Sequence, residues 1–240
     1  MLGIDLKSVQ AVALGTILAG GVGCASAATE PEGRAFTLVY IRTGPMSGRL
    51  GEEENRRAFA GHFANMGRLA EERKLVVAGP FGKGRHDAAL RGLFVLDTGD
   101  RAEAEAWAST DPTTLAGVFI LEFHDFATDA PLVAALERGL ERERQAKAEG
   151  RTPNPGDGAR PYVLLIAEHR DATWRELAPL ADGGGVLLLA RLDGERAFAL
   201  LDAKDGADAE QRFGAVLDRI GPHTLDDWFA SDQLARMREP

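Results

Sequence analysis

The order of strand-like and helix-like segments is the feature that most restricts the fold of this chain. In the first part of the sequence, β-rich apolar runs predict four strands at FTLVYIR (36–42), KLVVAGPF (74–81), LRGLFVLDT (90–98) and GVFILEFHDF (117–126). Helical spacing follows the first run and good helix formers follow the third. The predicted order is therefore β-α-β-β-α-β.

The same order returns after a Pro/Gly-rich stretch. The second set of segments comprises PYVLLIAEHR, ATWRELAPLA, GVLLLARL, RAFALLDA, ADAEQRFGAVLDRI and HTLDDWF, with a tight turn predicted at Asp193-Gly194. LFVLDT in the first half matches AFALLDA in the second, and AEAEAW matches DAEQRF. We interpret the chain as a diverged tandem duplication of a ferredoxin-like unit, which has this element order.

Strand patterning predicts how the two units assemble. Along FTLVYIR both alternating sets of side chains are largely apolar, so both faces of the sheet need burial. The chain carries its own second unit, and we expect a pseudo-dimer within one chain that is a monomer or a weak homodimer in solution.

Composition excludes several classes of partner. The 240 residues carry a net charge of −9, with a pI of about 5.1. Because the chain is acidic and has no basic stripe, we expect neither nucleic acid nor an anionic membrane as a partner. Cys24 is the single cysteine, which excludes an internal disulfide and argues against a cysteine-based metal site.

Residues 1–27 have the pattern of an export signal. AVALGTILAGGVG is a suitable apolar core, and ASA at 25–27 predicts cleavage before Ala28. Two alternatives remain open: a lipoprotein cleaved before Cys24, and a start codon placed upstream of a cytoplasmic protein. We expect a periplasmic or secreted protein, in which a lipid anchor at Cys24 is the second choice.

The domain boundaries follow from these segments. We predict a first unit at 28–128 and a degenerate second unit at 161–240, joined by a charged helix and a Pro/Gly linker at 129–160. The mixed-sign charges of that helix are typical of a solvated face.

The first half resembles a known family. A Gly-His pair on the first helix, then LVVAGPF, then an Asp-Pro before a final strand that starts with GV, is similar to the YCII-related family over residues 36–126. The resemblance implies the fold of the dimeric α+β barrels. It also implies that His62 and Asp111 match the family's catalytic histidine and aspartate. Substrates of most members are not established.

The order of elements allows the same two residues to approach each other. The two helices of a β-α-β-β-α-β unit run antiparallel on one face of the sheet, so the end of the second lies near the start of the first. Pro112 disfavours helical geometry at Asp111, which is predicted to close the second helix. A carboxylate beside an imidazole fixes its tautomer, as a general acid or base requires. The alternative is a core histidine and an ordinary helix end.

Other residues are weaker candidates for a functional site. Gly79 and Pro80 are candidates for a pocket wall, and Arg42 could meet an anionic ligand. His86 and His124 have no convincing partner by spacing, and we expect no metal site and no cofactor.

The second half departs from the family pattern. His62 aligns with Thr173, Asp111 falls near Leu217, and Gly79-Pro80 becomes Ala190-Arg191. We therefore predict an α+β fold in which two ferredoxin-like units form an intrachain dimeric α+β barrel with one active-type site. The expected function is that of a metal-free lyase, isomerase or hydrolase of an unknown small molecule. The alternative is a binding or interaction protein without turnover.

Overall fold

A computed structural model describes residues 33–152, 156–168, 171–237 and 239. The predicted export signal and Cys24 lie outside the described residues. The described part contains eight strands, six α-helices and a short 3-10 helix at Asp232–Leu234. The strands are β1 Arg34–Thr43, β2 Leu75–Pro80, β3 Leu90–Leu96, β4 Phe119–Thr128, β5 Ala159–Glu168, β6 Val186–Leu192, β7 Arg196–Leu201 and β8 His223–Ser231. The helices are α1 Glu52–Glu71, α2 Arg101–Ala108, α3 Pro112–Leu115, α4 Leu132–Ala148, α5 Asp171–Asp182 and α6 Gly206–Ile220.

All eight strands belong to one antiparallel sheet that closes almost completely into a barrel. The strand order is β2-β3-β1-β4-β6-β7-β5-β8, so the four strands of each half have the same relative order. The halves join where Phe126 and Ala127 of β4 pair with Leu192 and Arg191 of β6. At the other edge, a bridge between Phe81 and Trp228 brings β2 against β8. This architecture is consistent with the predicted α+β barrel.

The side chains of β1 explain why the sheet must close. Phe36, Leu38 and Tyr40 on one face are buried, and Thr37, Val39 and Ile41 on the other are buried too. The first set joins a core shared with the second half, which includes Tyr162, Phe198 and Trp228. The second set packs beneath α1 and α2. The expectation that both faces need burial is confirmed.

Helix α4 covers the seam between β2 and β8. Leu132 and Ala135 are buried in the shared core, and the helix packs on β2 and on the 3-10 helix. Arg138 donates hydrogen bonds to the side chain and the carbonyl oxygen of Gln233. The charged sequence of α4 therefore has a solvated face, but its apolar face closes the barrel edge.

The hairpin between β6 and β7 turns at the predicted residues. Asp193 and Gly194 have φ values of 52° and 73°, which a two-residue hairpin turn of this type requires at both positions. The Asp193 side chain also leaves the turn to contact β4. The turn thus positions a carboxylate at the junction of the two halves.

Candidate functional site

His62 lies in the middle of α1 with its ring against the sheet. The residue is 8% exposed, and its imidazole stacks on the Phe94 ring at 6.0 Å between centroids. Phe59, Phe63 and Phe119 meet the same ring edge-on. The histidine therefore occupies an aromatic enclosure that excludes most water.

Asp111 supplies the polar partner inside that enclosure. Its Oδ2 lies 2.6 Å from Nδ1 of His62, and only 2% of the residue is exposed. Its Oδ1 accepts hydrogen bonds from the backbone N–H of Thr113 at 2.8 Å and from the Thr113 hydroxyl at 2.5 Å. The carboxylate is held at both oxygens, so its orientation toward the imidazole is fixed.

The local chain direction at Asp111 differs from the prediction. Helix α2 ends at Ala108, and Asp111 does not close it but caps the N-terminus of the short helix α3. Aspartate is a preferred N-cap residue, and Pro112 stands at the first helical position, where its missing N–H costs nothing. Pro112 therefore starts a helix here instead of ending one.

A glycine lets the two helices come close enough for this contact. At Gly61 an added Cβ would lie 2.8 Å from Cγ of Pro112, which is shorter than side chains tolerate. Any larger residue next to His62 would push α3 away from α1. The Gly-His sequence thus has a steric reason as well as a chemical one.

The pair has a defined protonation pattern. Burial raises the pKa of the Asp111 carboxyl, but hydrogen bonds from His62 and Thr113 outweigh burial and hold the pKa below its usual value. The carboxylate is therefore ionised at neutral pH and accepts the Nδ1 hydrogen. Nε2 has no hydrogen-bond partner among the described residues, so it is the nitrogen free to exchange a proton.

Gly79 and Pro80 lie at the barrel seam and not beside the pair. A Cβ at Gly79 would stand 1.8 Å from the carbonyl oxygen of Phe229, and the Gly79 oxygen accepts a hydrogen bond from Trp228 Nε1 at 3.0 Å. The missing side chain lets β8 approach β2. The atoms that come close to Gly79 therefore belong to β8 of the protein itself.

The seam also opens into an apolar groove of about 580 Å³. We use "the groove" for the space between α1, α4, β2 and β8, which Gly79 and Pro80 line. Other lining side chains include Phe63, Met66, Leu75, Leu136, Leu140 and Phe229. His62 and Asp111 do not line the groove. Phe63 lies between the groove and this pair: half of the residue is exposed on the groove side, and its ring centroid is 5.3 Å from that of the His62 ring.

Arg42 belongs to a different part of the barrel. It forms ion pairs with Asp87 at 2.5 Å and with Glu122 at 3.4 Å, and about a quarter of its side chain is exposed. These contacts lie at the end of β1, and Arg42 has no contact with His62 or Asp111 among those of the described residues. Its charge is already matched by two carboxylates.

Two further histidine pairs were not foreseen. His86 Nδ1 lies 2.8 Å from Asp226, and His124 lies between Asp193 at 2.7 Å and Glu122 at 2.9 Å. Spacing along the sequence offered no convincing partner for His86 or His124, and the fold supplies one for each. The partners Asp226 and Asp193 come from the other half of the chain, 140 and 69 residues away, so spacing along the sequence carried no signal.

The described residues include no group of three or more His, Cys, Asp or Glu side chains arranged to hold a metal ion. None of the helices described is long and apolar enough to cross a membrane.

Comparison with protein families gives a match over part of the chain. Residues 35–127 match the family model of the YCII-related domain. The match contains the His62–Asp111 pair together with Arg42, Gly79 and Pro80, and it ends where β4 ends. The buried pair lies inside the matched region. The remainder of the chain, including all of the second half, lies outside the match. A search of curated proteins found no match.

Proposed function

We propose that the YCII-related domain catalyses proton transfer on a small molecule, with Nε2 of His62 as the acid or base. The observation that carries this proposal is the 2.6 Å hydrogen bond between His62 Nδ1 and a buried, ionised Asp111. A histidine oriented in this way suits a lyase, isomerase or hydrolase that uses no metal. Gly79 and Pro80 line the groove, whereas Arg42 lies at the end of β1, away from the pair.

The groove is the proposed place of the substrate. Its volume falls in the range of ligand pockets, about 300–1,000 Å³. Gly67 of α1 and Gly139 of α4 both line it, and an added Cβ at either would meet no atom within 4 Å. Mid-helix glycine destabilises a helix by roughly 0.5–1 kcal/mol relative to alanine. Two such glycines facing one groove support the view that its width is functional.

Phe63 is the proposed gate between groove and imidazole. Its ring contacts His62, and half of it is exposed in the groove. A rotation of this one side chain would open a path from the groove to the ring. The substrate class that fits is a small, largely apolar molecule with one polar group to meet Nε2.

A non-catalytic binding protein is the competing proposal. The observation that favours it is that His62 and Asp111 do not line the groove. In that case the pair stabilises the domain, and the groove holds a ligand without turnover.

One experiment distinguishes the proposed enzyme from the proposed binding protein. Full-length protein is incubated with a metabolite extract, and bound molecules are identified by mass spectrometry. We expect Gly139→Phe, which fills the groove, to abolish capture. Gly214→Phe, in α6 and also without atoms within 4 Å of its Cβ, should leave capture unchanged.

The captured molecule is then incubated with wild-type protein, His62→Gln and Asp111→Asn. Turnover that both variants lose supports the enzyme, because groups that act as a unit fail together. Capture without turnover by the wild type supports the binding protein. Capture that is equal in Gly139→Phe and wild type contradicts the groove as the site.

We also propose that the two halves are diverged ferredoxin-like copies. Their shared strand order and shared element order support this. The second copy takes the place of a second subunit in this proposal, so that the chain is a monomer or weak homodimer.

We propose export of the protein on the basis of its first 27 residues. N-terminal sequencing of protein from the native cell should begin at Ala28 in a periplasmic or secreted fraction. A lipid-sized mass increase at Cys24 would support the lipoprotein instead, and Met1 on cytoplasmic protein would contradict export.

A further inference from the structure

A second histidine–carboxylate pair lies where the loop after β2 meets β8. Asp226 accepts the His86 backbone N–H at 2.7 Å, and its two oxygens lie 2.9 and 2.8 Å from His86 Nδ1. The Asp226 side chain is 1% exposed, whereas the His86 side chain is 46% exposed. Nδ1 is therefore held by a buried carboxylate, and Nε2 has no hydrogen-bond partner among the described residues. The ring presents its free nitrogen at the surface.

The buried position of the Asp226 carboxylate is energetically unfavourable. It faces into the barrel between Thr224 and Trp228, where β8 contributes to the shared core. Burial of a carboxylate in such surroundings is unfavourable unless it is paired and hydrogen-bonded. The loop could be tied to β8 without it, because Gly82 and Gly84 already form backbone hydrogen bonds with Asp227 at 2.7 Å.

Two hydroxyl groups near Asp226 lack partners. Tyr40 points into the barrel from β1, is 7% exposed, and makes no hydrogen bond with a described residue. Burial and then the charge of Asp226 raise the pKa of the Tyr40 phenol, so it remains a hydrogen-bond donor. Thr224 Oγ1 is also buried and without a partner in the described part of the chain. Buried polar groups are normally satisfied, so the Thr224 hydroxyl is a group that a bound small polar molecule would satisfy, and the Tyr40 hydroxyl is available to donate to the same molecule.

We propose that His86, Asp226 and Tyr40 form a second acid–base centre, which takes a small neutral carbonyl compound. The unpartnered groups are hydroxyl donors and an imidazole lone pair, which match a carbonyl oxygen and an adjacent C–H group. A neutral compound fits because the buried charge of Asp226 disfavours an anion. This centre is separate from the His62–Asp111 pair and does not depend on the function proposed for it.

The proposed step is a balanced proton transfer. The C–H bond next to the carbonyl breaks, its electron pair forms an enolate, and the proton moves to Nε2 of His86. Tyr40 donates a hydrogen bond to the enolate oxygen, and Asp226 stabilises the imidazolium through Nδ1. Return of the proton to carbon restores His86, so no further reactant is needed.

Deuterium exchange tests this centre without knowledge of the natural substrate. Dihydroxyacetone or butanone is incubated in D₂O with full-length protein, and loss of the C–H signal is followed by NMR. We expect exchange faster than with free imidazole at equal concentration. His86→Gln should lower it about a hundredfold, in line with the usual contribution of a general base. Asp226→Asn and Tyr40→Phe should each lower it about tenfold or more.

His223→Gln is the matched control. His223 is also half-buried, but its Nδ1 donates to the carbonyl oxygen of Gly221 at 2.8 Å and not to a carboxylate. Its loss should leave exchange unchanged. Circular dichroism of each variant confirms folding, and the conservative Tyr40→Phe keeps the test valid if Asp226→Asn unfolds.

Three results would overturn the proposal. The first is a wild type that exchanges no faster than imidazole with either probe. The second is a folded His86→Gln variant with undiminished exchange. The third is loss of exchange in His62→Gln while His86→Gln keeps it, because the activity then belongs to the first pair.

Discussion

The two halves of the barrel share a strand order but differ beneath their first helices. His62 in α1 and Thr173 in α5 each lie thirteen residues before the next strand, which begins at Leu75 and at Val186. Both are buried. His62 has a carboxylate partner, whereas Thr173 Oγ1 has no hydrogen-bond partner within the described residues.

The helices that follow explain the difference. In the second half α6 runs without interruption over fifteen residues, and Leu217 is buried in its core. In the first half the corresponding stretch ends at Ala108 and restarts at Pro112, so that Asp111 becomes an N-cap. A single helix break therefore turns an apolar packing position into a carboxylate directed at an imidazole.

The test with the largest expected effect removes the second half of the chain. The shared core draws on both halves, so residues 28–128 alone would expose one whole face of their sheet. We expect the fragment to dimerise or aggregate, whereas the full chain sediments as a monomer or weak dimer. Analytical ultracentrifugation measures this, and a folded monomeric fragment would refute the pseudo-dimer.

The next test compares two aspartate caps. Asp111 caps α3 and bonds to His62, while Asp205 caps α6 by accepting the N–H of Asp208 and has no other side-chain partner among the described residues. Loss of a cap costs about 1 kcal/mol. Loss of a buried hydrogen bond to a charged group adds about 1.5–3 kcal/mol.

We therefore expect Asp111→Ala to lower the free energy of unfolding by about 3 kcal/mol and Asp205→Ala by about 1 kcal/mol. Urea denaturation of both variants at pH 7 gives the two values. Equal losses would mean that the carboxylate–imidazole contact contributes no stability beyond the cap.

Acid should remove the contribution of Asp111. Burial raises the pKa of the Asp111 carboxyl, but the hydrogen bonds from His62 and Thr113 lower this pKa by more than burial raises it. The folded-state pKa is therefore below the unfolded value. The resulting stability is complete above the unfolded pKa of about 4 and is lost as pH falls through the folded pKa.

We expect Asp111→Asn to flatten the loss of stability below about pH 4 relative to the wild type. Denaturation midpoints between neutral and strongly acidic pH measure the slope. Thr173→Val, which changes no titrating group, should keep the wild-type slope. An unchanged slope in Asp111→Asn would show that the pair does not govern acid stability.

The smallest expected effect concerns two buried threonines. The Thr113 hydroxyl donates a hydrogen bond to Asp111, whereas the Thr173 hydroxyl has no partner in the part of the chain that the structure describes. Thr173→Val should raise the free energy of unfolding by about 1 kcal/mol, and Thr113→Val should lower it by a similar amount. Thermal unfolding of the two variants measures the sign, and a loss of stability in Thr173→Val would reveal a hidden partner.

The site was partly accessible from the sequence. The pairing of His62 with Asp111 followed from the family resemblance and from helices that run antiparallel on one face. The start of α3 was missed, because Pro112 both ends one helical pattern and begins another, and only the local chain direction distinguishes these.

The sequence by itself determined the strands, the helices other than α3 and the Asp193-Gly194 turn, because these depend on residues that are neighbours along the chain. Tertiary structure decided everything that depends on closing the barrel: the approach of Phe229 to Gly79, the position of α4 over the seam, and the burial of Asp226 beneath His86. These contacts join residues far apart along the chain; Trp228 and Gly79, for example, are 149 positions apart. The spacing of residues along the sequence does not predict contacts over such separations, because closure of the barrel depends on the register and twist of all eight strands together.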